Sequence, residues 1–235
     1  IGDTATIQGN TITGNTAAYG GGIYNYGGSP IIGGTNGSDT GNFNNICGNT
    51  PLPQIDPDSY PNNYIFNNCD VVGETGPAGG WIFYDKGEVS DGWRYLEAAP
   101  YDQSFGSAYI LKWGCYGTEI SGADGINIGT GEQNTIDILA GCATSGIAAR
   151  LCDDYSITVS EVTYSDWFLP SRGELGLMYD NLHHQTPSIG GFDDNFYWSS
   201  SEYGANYARL QYFGSGSQNY DVKNNTYRVR AVRAF

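Results

Sequence analysis

Positive charge is scarce in this sequence. Its 235 residues include 10 lysines and arginines against 25 aspartates and glutamates, which gives a formal net charge of -15 at pH 7. Proteins that bind nucleic acid through its phosphates carry a basic surface, so the composition argues against a nucleic-acid partner. The acidic, lysine-poor composition, rich in Gly, Asn, Thr and Tyr, instead favours an extracellular protein or a protein of the bacterial cell surface.

Long hydrophobic runs are also absent. No apolar stretch approaches the ~20 residues that a membrane-spanning helix needs, so we expect no direct membrane insertion by this chain. The sequence contains no secretory signal, but the chain begins at Ile1 in the middle of a repeating pattern. We therefore expect it to be part of a longer protein, whose signal or anchor would lie elsewhere.

The usual motifs of catalytic and metal sites are missing too. The sequence has no GxSxG, HExxH or CxxC, and its two histidines, His183 and His184, are neighbours near the end of a predicted helix. Adjacent helical side chains point in different directions, so we expect an interaction with the helix dipole rather than a metal pair. The sequence therefore predicts a protein that is not an enzyme and that needs no metal or cofactor.

Cysteine is present in an odd number, so the five residues cannot all pair within the chain. They are Cys47, Cys69, Cys115, Cys142 and Cys152. A disulfide between Cys47 and Cys69, or between Cys115 and Cys142, would suit an oxidising compartment. Buried free thiols are the alternative, and the spacing does not decide between them.

The sequence changes pattern near residue 70. Before it, NTITGNT at 10–16 returns as NNICGNT at 44–50, so the repeat has a period of 44 − 10 = 34 residues. Short β-branched strands followed by Gly/Asn turns at a fixed period are typical of a solenoid. We therefore predict that residues 1–70 are a stalk, the end of a right-handed parallel β-helix closed by a proline-rich loop at 51–61. A disordered Gly/Asn-rich stalk is the alternative.

Residues 71–235 have the pattern of a globular α+β domain, with few helices and many short strands. The segments GGWIFYDKG at 79–87 and GWRYLEAAP at 92–100 predict two early strands. Short strands separated by Gly/Ser/Asn loops are predicted again from YWSS at 197–200 to the terminal RVRAVRAF at 228–235.

Helices are predicted between these strand regions. Ser171 and Glu174 match an S-x-x-E capping box, which predicts a helix with one apolar face. That face consists of Leu175, Met178, Tyr179 and Leu182. Thr130 and Gln133 predict a second capping box and a helix start near 131, and a further short helix is predicted within 146–155. The buried stripe of the helix near 131 is predicted to be Ile136, Ile138, Leu139 and Cys142.

Several of these segments together resemble a known family. GETGPAGGWIFYDKG, DGWRYLEAAP, DWFLPSRGEL, YWSSSE and RVRAVRAF occur in this order across 73–235. The combination resembles the C-type-lectin-fold domain of bacterial lectin-like surface adhesins and, more distantly, of formylglycine-generating enzymes. GGGIYN at 20–25 resembles the repeat of bacterial polymorphic outer-membrane and autotransporter-like adhesins. The resemblance implies a C-type lectin fold preceded by a short β-helix fragment.

Two other branches of that fold fit the sequence poorly. The formylglycine-generating enzymes need a reactive cysteine pair late in the fold, and no cysteine follows Cys152. Calcium-dependent sugar lectins carry Glu-Pro-Asn or Gln-Pro-Asp and Trp-Asn-Asp motifs, which are absent here. Asp193 and Asp194 offer oxygen ligands for calcium, but two adjacent carboxylates are a weak signal.

The last segment, about 197–235, resembles something narrower, the variable proteins of diversity-generating retroelements. In that family a reverse transcriptase copies a template with errors at adenines, so Asn codons change to Tyr, Ser, Asp, Gly, Leu, Val or Thr but never to Trp, Gln, Lys, Glu or Met. The resemblance implies ligand-facing variable positions at Tyr203, Asn206, Tyr207, Leu210, Tyr212, Ser215, Ser217, Asn219, Tyr220, Asp221, Val222 and Asn224. It implies a scaffold of Trp198, Ala205, Ala208, Phe213, Gly216, Gln218 and Lys223.

The residue types of this segment favour ligand binding without the family. Tyrosine gives a large amphipathic contact area at low entropic cost, and Ser, Gly and Asn give adaptable hydrogen bonds. Five tyrosines are concentrated here, namely Tyr203, Tyr207, Tyr212, Tyr220 and Tyr227. We expect a protein or glycan ligand on another cell, host or phage. Cross-strand tyrosines of an ordinary β-hairpin are one alternative. An undiversified lectin-like adhesin with a fixed ligand is another.

Basic residues are concentrated at the same end, where five of the ten occur: Arg209, Lys223, Arg228, Arg230 and Arg233. The resemblance implies that the last strand pairs with the first one, GWIFYDK at 80–86. We expect Arg228, Arg230 and Arg233 to pair with acids or carbonyls elsewhere in the domain.

Overall fold

The computed structural model describes residues 71–104, 106 and 110–235, and the backbone of four short strands before residue 70. The chain divides into two units, Ile1–Asp70 and Val71–Phe235. Secondary structure in the second unit includes both helices and strands, so the α+β class is confirmed.

The four short strands of the first unit pair in parallel. Strand β1 (Thr6–Ile7) pairs with β3 (Ile31–Ile32), and β2 (Thr11–Thr13) pairs with β4 (Asn45–Cys47). In the second pair Ile12 lies opposite Ile46, which is the 34-residue offset of the sequence repeat. The two copies of the repeat are therefore aligned in register. The predicted proline-rich loop, the GGGIYN segment and the Cys47–Cys69 pairing lie outside the described residues.

The two early strands of the second unit are confirmed as β5 (Trp81–Ser90) and β6 (Trp93–Ala98). They form an antiparallel hairpin whose turn contains Asp91 and Gly92, both with positive φ. The last strand, β14 (Val232–Ala234), adds to this hairpin in the order β14-β6-β5. The expected pairing of the last strand with the first is therefore wrong, because β14 occupies the free edge of β6 and its other side bridges to Phe168.

The predicted helices are confirmed. They are α1 (Gly131–Gly141), α2 (Ala148–Asp153) and α3 (Arg172–Met178), and α3 continues as a π-helix at Tyr179–His183. Four short strands form two antiparallel pairs: β7 (Leu111–Lys112) with β13 (Thr226–Tyr227), and β8 (Ile157–Val159) with β9 (Val162–Tyr164).

The two predicted capping boxes have different outcomes. At α3, Ser171 Oγ accepts the Glu174 N–H, and the Glu174 carboxylate accepts the Ser171 N–H at 2.7 Å, so this box is confirmed. At α1 the Thr130 hydroxyl instead donates to the Asn127 carbonyl at 2.7 Å. The second box is therefore wrong. The buried Glu174 carboxylate takes its place, because it accepts the N–H groups of Gly129 at 2.7 Å and Gly131 at 3.4 Å.

Two hydrophobic clusters form the core of the second unit. One surrounds Trp113, Ile138 and Trp198, and the other surrounds Phe83, Met178, Tyr197 and Phe213. Leu175, Met178 and Leu182 are buried and Tyr179 packs against the second cluster, so the apolar face predicted for the α3 region is confirmed.

The predicted stripe of α1 is only partly right. Ile138 and Cys142 are buried and Leu139 is partly buried, whereas Ile136 is 51% exposed. Asn134 and Thr135 are buried in its place, because their side chains bond to the Gly125 carbonyl and the Leu169 N–H. Cys142 forms a disulfide with Cys115, and Cys152 is a buried free thiol, so both alternatives left open for these cysteines occur.

Candidate ligand-binding surface

The segment expected to vary forms an antiparallel three-stranded sheet. Its strands are β10 (Phe196–Gly204), β11 (Tyr207–Tyr212) and β12 (Ser217–Val222), in that order. Side chains alternate between the two faces of a strand, so the register of β11 and β12 sorts these residues into two groups. On the front face the opposed pairs are Tyr207 with Val222, Arg209 with Tyr220, and Gln211 with Gln218. On the rear face they are Ala208 with Asp221, Leu210 with Asn219, and Tyr212 with Ser217.

The front face carries a tyrosine patch, which consists of Tyr203, Tyr207, Tyr220 and Arg209. The Tyr203 and Tyr220 rings are stacked with their centroids 4.3 Å apart, and the Tyr207 ring meets Tyr220 edge-on at 5.7 Å. Despite these contacts, Tyr203 is 49% exposed, Tyr207 40% and Tyr220 46%. The contacts hold the rings in place while their outer surfaces face solvent.

Arg209 supplies the charge of the tyrosine patch. Its guanidinium carbon lies 4.8 Å from the centroid of the Tyr203 ring, within the range of a cation–π contact. Its Nε is buried and makes no hydrogen bond to any described residue. Among the described residues no acid pairs with Arg209, so its remaining donors are free for an acceptor on a ligand.

The rear face is largely committed to the protein itself. Leu210 is only 3% exposed and packs in the cluster around Trp198, so its expected place in the ligand surface is wrong. Strand alternation explains this, because Leu210 is three residues from Tyr207 and so points to the opposite face. The ring of Tyr212 lies 4.7 Å from that of Phe196. Tyr212 is half-buried there and does not join the tyrosine patch.

Asp221, also on the rear face, is held by local hydrogen bonds. Its carboxylate accepts from the Tyr227 hydroxyl and from the Asn225 amide, the latter at 3.0 Å. Burial alone would raise the pKa of Asp221, but these hydrogen bonds outweigh it and lower the pKa. Burial and the same contact raise the pKa of Tyr227 to about 12. Asp221 therefore fixes the turn after β12 and is already partnered.

The other expected contact positions are distributed between the faces and turns of the sheet. Val222 is half-buried on the front face, and Asn219 and Ser217 are exposed on the rear face. Asn206, Ser215 and Asn224 are exposed in the turns. The structure therefore brings together Tyr203, Tyr207 and Tyr220 as one surface but does not bring all twelve expected positions to a single face.

The expected scaffold residues are buried or half-buried. Trp198, Ala208, Phe213 and Lys223 are buried, whereas Gln218, Ala205 and Gly216 are half-buried. Gly216 has φ +74°, and a Cβ there would lie 2.3 Å from the Tyr179 ring, so this position requires glycine.

A buried ion pair anchors the sheet at one end. The Lys223 ammonium contacts the Glu202 carboxylate, donates to the Thr118 carbonyl at 2.8 Å and lies 4.4 Å from the centroid of the Trp113 ring. Both Glu202 oxygens accept the Ile120 N–H, at 2.9 and 3.0 Å. The lysine side chain is 0% exposed and the glutamate 3%. Glu202 was not identified from the sequence. An acidic residue at the end of a run of aromatic and serine residues, as in YWSSSE, is nevertheless a signal of a buried ion pair.

A second support connects the front face to α3. The Gln218 amide donates to the Arg172 carbonyl and to the Gln211 side-chain oxygen, each at 2.9 Å. These glutamines occupy the front face next to the Arg209–Tyr220 pair. They separate the tyrosine patch from the helix and give it a fixed base.

The terminal arginines close the domain as expected. Arg228 and Arg230 both bind Asp102, at 2.9 and 2.7 Å. Arg230 also donates to the Ala99 and Gly190 carbonyls. Arg233 binds Asp166 at 2.8 Å and Glu97 at 3.3 Å. These residues are therefore structural and do not contribute charge to the tyrosine patch.

The two carboxylates weighed as calcium ligands are used in ion pairs. Asp193 pairs with Arg228, and Asp194 lies 2.9 Å from His183 Nε2. In the part of the chain that the structure describes, no group of three His, Cys, Asp or Glu side chains is placed to hold a metal ion.

The described residues contain no helix that is both long and apolar enough to span a membrane.

In comparisons with known proteins, no family model matches this chain and no curated protein is significantly similar to it.

Proposed function

We propose that this chain is part of a surface protein, on a bacterial cell or outside it, that binds a protein or glycan ligand through the tyrosine patch. Residues 71–235 would adopt a C-type lectin fold, and residues 1–70 would be the end of a β-helix stalk. The ligand would lie on another cell, a host or a phage. Binding by surface complementarity requires no catalytic group, metal or cofactor.

One observation carries the proposal: three exposed tyrosines and a half-buried arginine, which has no acid partner among the described residues, lie together on a sheet whose supports are buried. Tyr and Arg are enriched among the residues that dominate binding energy at interfaces. Ring contacts already restrict the tyrosines, so less side-chain entropy is lost when a ligand binds. Cross-strand tyrosines that only stabilise a hairpin would not leave an arginine without an acid partner.

The stalk proposal rests on the parallel pairing of β2 with β4 at the 34-residue offset of the repeat. In a parallel solenoid each rung pairs with the equivalent residues of the next rung, so the pairing offset equals the sequence period. A hairpin or meander would pair its strands antiparallel. The other described pair, β1 with β3, is also parallel but has an offset of 31 − 6 = 25 residues. The parallel pairing therefore favours a solenoid over a disordered stalk, and the match to the 34-residue period rests on β2 and β4 alone.

Binding is best tested on an array that carries both microbial glycans and surface proteins. The 235-residue chain, the triple variant Tyr203→Ala, Tyr207→Ala and Tyr220→Ala, and the single variant Tyr212→Ala would be applied in parallel. Tyr212 belongs to the same sheet but to its rear face, which makes it a matched control. The triple variant should lose the spots that the unchanged chain binds, and Tyr212→Ala should keep them. Retention of those spots by the triple variant would contradict the proposed surface.

We further propose that the segment is diversified by a retroelement. Of the twelve expected variable positions eight are exposed, which is where sequence change costs little stability. The genomic test is a near-copy of the coding segment for 197–235 next to a reverse-transcriptase gene, differing only opposite template adenines. Without such a copy, the protein would be a lectin-like adhesin with a fixed ligand.

A further inference from the structure

A cleft of about 300 Å³ lies beside the turn that follows β12. It is lined by residues from three segments: the stretch after β7, the turn between α1 and α2, and the turn after β12. The lining includes the side chains of Lys112, Cys115, Tyr116, Thr144, Ser145 and Asn224. The volume is at the lower end of small-molecule sites, which suits a single ring better than a long chain.

The walls of the cleft are fixed by covalent and backbone bonds. The Cys115–Cys142 disulfide ties the stretch after β7 to the end of α1. Gly114 has φ +110°, and a Cβ there would lie 2.6 Å from the Ile147 side chain. The N–H groups of Trp113 and Gly114 both donate to the Lys223 carbonyl. The cleft is therefore preformed, and a ligand would not need to order its walls.

The polar side chains of the cleft have unused hydrogen-bonding capacity. Within the described residues the side chains of Lys112, Tyr116, Ser145 and Asn224 have no hydrogen-bond or ion-pair partner. Lys112 is the one cation among the lining residues. A chain with 25 acids and 10 bases offers many potential partners for an ammonium group, so an unpaired lysine in a cleft stands out. The lysine ammonium carries three donors, and the lining of the cleft includes no acid.

We propose that this cleft binds one sugar unit that carries a carboxylate, such as a uronic acid. The Lys112 ammonium would hold the carboxylate by charge-assisted hydrogen bonds. The Ser145 hydroxyl and the Asn224 amide both donate and accept, which matches ring hydroxyls, and the half-exposed Tyr116 ring offers a flat surface for the sugar. The site goes beyond the proposed function, because it does not require the tyrosine patch to bind anything.

The test is a titration of the ¹⁵N-labelled 235-residue chain followed by NMR, at constant ionic strength. Three probes are compared: glucuronate, glucose as its neutral counterpart, and glutarate as a carboxylate without a sugar ring. Glucuronate should shift the amide signals of Tyr116 and Ser145 saturably, with a dissociation constant in the millimolar range. Glucose and glutarate should each bind about tenfold more weakly, since each lacks one set of hydrogen bonds.

Variants then assign the contact. Lys112→Gln should weaken glucuronate binding about tenfold or more, and Lys112→Arg, which keeps the charge, should largely restore it. Asn224→Ala changes an exposed turn residue and should weaken binding to both sugars alike. The triple Tyr→Ala variant of the tyrosine patch should bind glucuronate as the unchanged chain does, which separates this site from the proposed function.

Three results would overturn the proposal. Absence of a saturable shift with glucuronate would remove the site. Equal affinity for glucose and glucuronate would show that the carboxylate is not recognised. Equal affinity for glutarate and glucuronate would show that the sugar ring is not recognised. Unchanged affinity in Lys112→Gln, in a variant whose amide spectrum shows that it is folded, would remove the lysine from the site.

Discussion

Lys223→Met should destabilise residues 71–235 strongly, because it leaves the Glu202 carboxylate buried without its cation. Glu202 is 3% exposed and keeps only the Ile120 N–H as a partner in this variant. Removing one member of a buried ion pair costs about 3–5 kcal/mol, since the remaining charge is not compensated. Methionine has nearly the volume of lysine, so the change removes the charge and leaves little cavity.

The matched variant is Lys223→Met combined with Glu202→Gln. A glutamine at 202 is neutral and still accepts the Ile120 N–H through its amide oxygen. The double variant should therefore be more stable than Lys223→Met alone, by about 1–3 kcal/mol. A loss that is the same in both variants would mean that the lysine acts by packing on Trp113 alone.

The measurement is urea unfolding under non-reducing conditions, followed by tryptophan fluorescence. All five tryptophans lie after residue 70, so the signal reports the second unit alone. The free energy of unfolding is compared at constant slope of the denaturant dependence. A loss below about 1 kcal/mol in Lys223→Met would refute the reasoning, because it would approach the ~0.5 kcal/mol of an ordinary surface substitution and fall far short of a broken buried pair.

Three further predictions concern the core, the pH dependence and the disulfide. Leu210→Ala should lower the free energy of unfolding by about 2–5 kcal/mol, because Leu210 is buried. Asn219→Ala, opposite it in the sheet but exposed, should change the free energy by less than about 0.5 kcal/mol. Similar losses for the two variants in urea unfolding would contradict the burial of Leu210. Burial raises the pKa of Glu174 to about 7, so the carboxyl group binds its proton more tightly in the folded state than in the unfolded state. The free energy of unfolding should therefore fall by up to about 3 kcal/mol as pH rises from about 4.5 to 7. Glu174→Gln should remove most of that fall, measured as urea midpoints across this pH range, and an unchanged slope would contradict the assignment. Replacing Cys115 and Cys142 by Ser should lower the free energy of unfolding by about 3–4 kcal/mol, because the disulfide closes a loop between residues 27 apart in the sequence. A reductant should lower the melting temperature of the unchanged chain but not of this variant.

Local sequence patterns predicted the elements of this fold well where the signal lies within one element. The capping box of Ser171 and Glu174 fixed the start of α3, and the Gly/Pro boundaries located β5 and β6. The second capping box failed because a distant carboxylate, that of Glu174, reaches the start of α1. No pattern around Thr130 carries that information, since the two segments meet only in the folded domain.

The candidate site was predictable in composition but not in geometry. The density of tyrosines pointed to the segment, yet which tyrosines share a face depends on the register of β11 with β12. Tyr212 and Leu210 belong to the same segment but lie on its rear face. Applying the two-residue period from Tyr207 would have placed Leu210 on the other face. The pairing of Glu202 with Lys223 spans the sheet and needed the structure.

The supports of the sheet predict that substitutions at 203, 207 and 220 on its front face cost little stability. The Glu202–Lys223 pair, the Gln211–Gln218 bond and the burial of Phe213 all use side chains outside the tyrosine patch. Backbone ladders between β10, β11 and β12 do not depend on which side chain stands at 203, 207 or 220. Losing the ring contacts of the tyrosine patch removes about 0.5–1.5 kcal/mol per pair, which is small beside the cost of disturbing the buried pair. The stability of the sheet should therefore depend mainly on residues outside the patch, and substitutions within the patch should cost less stability.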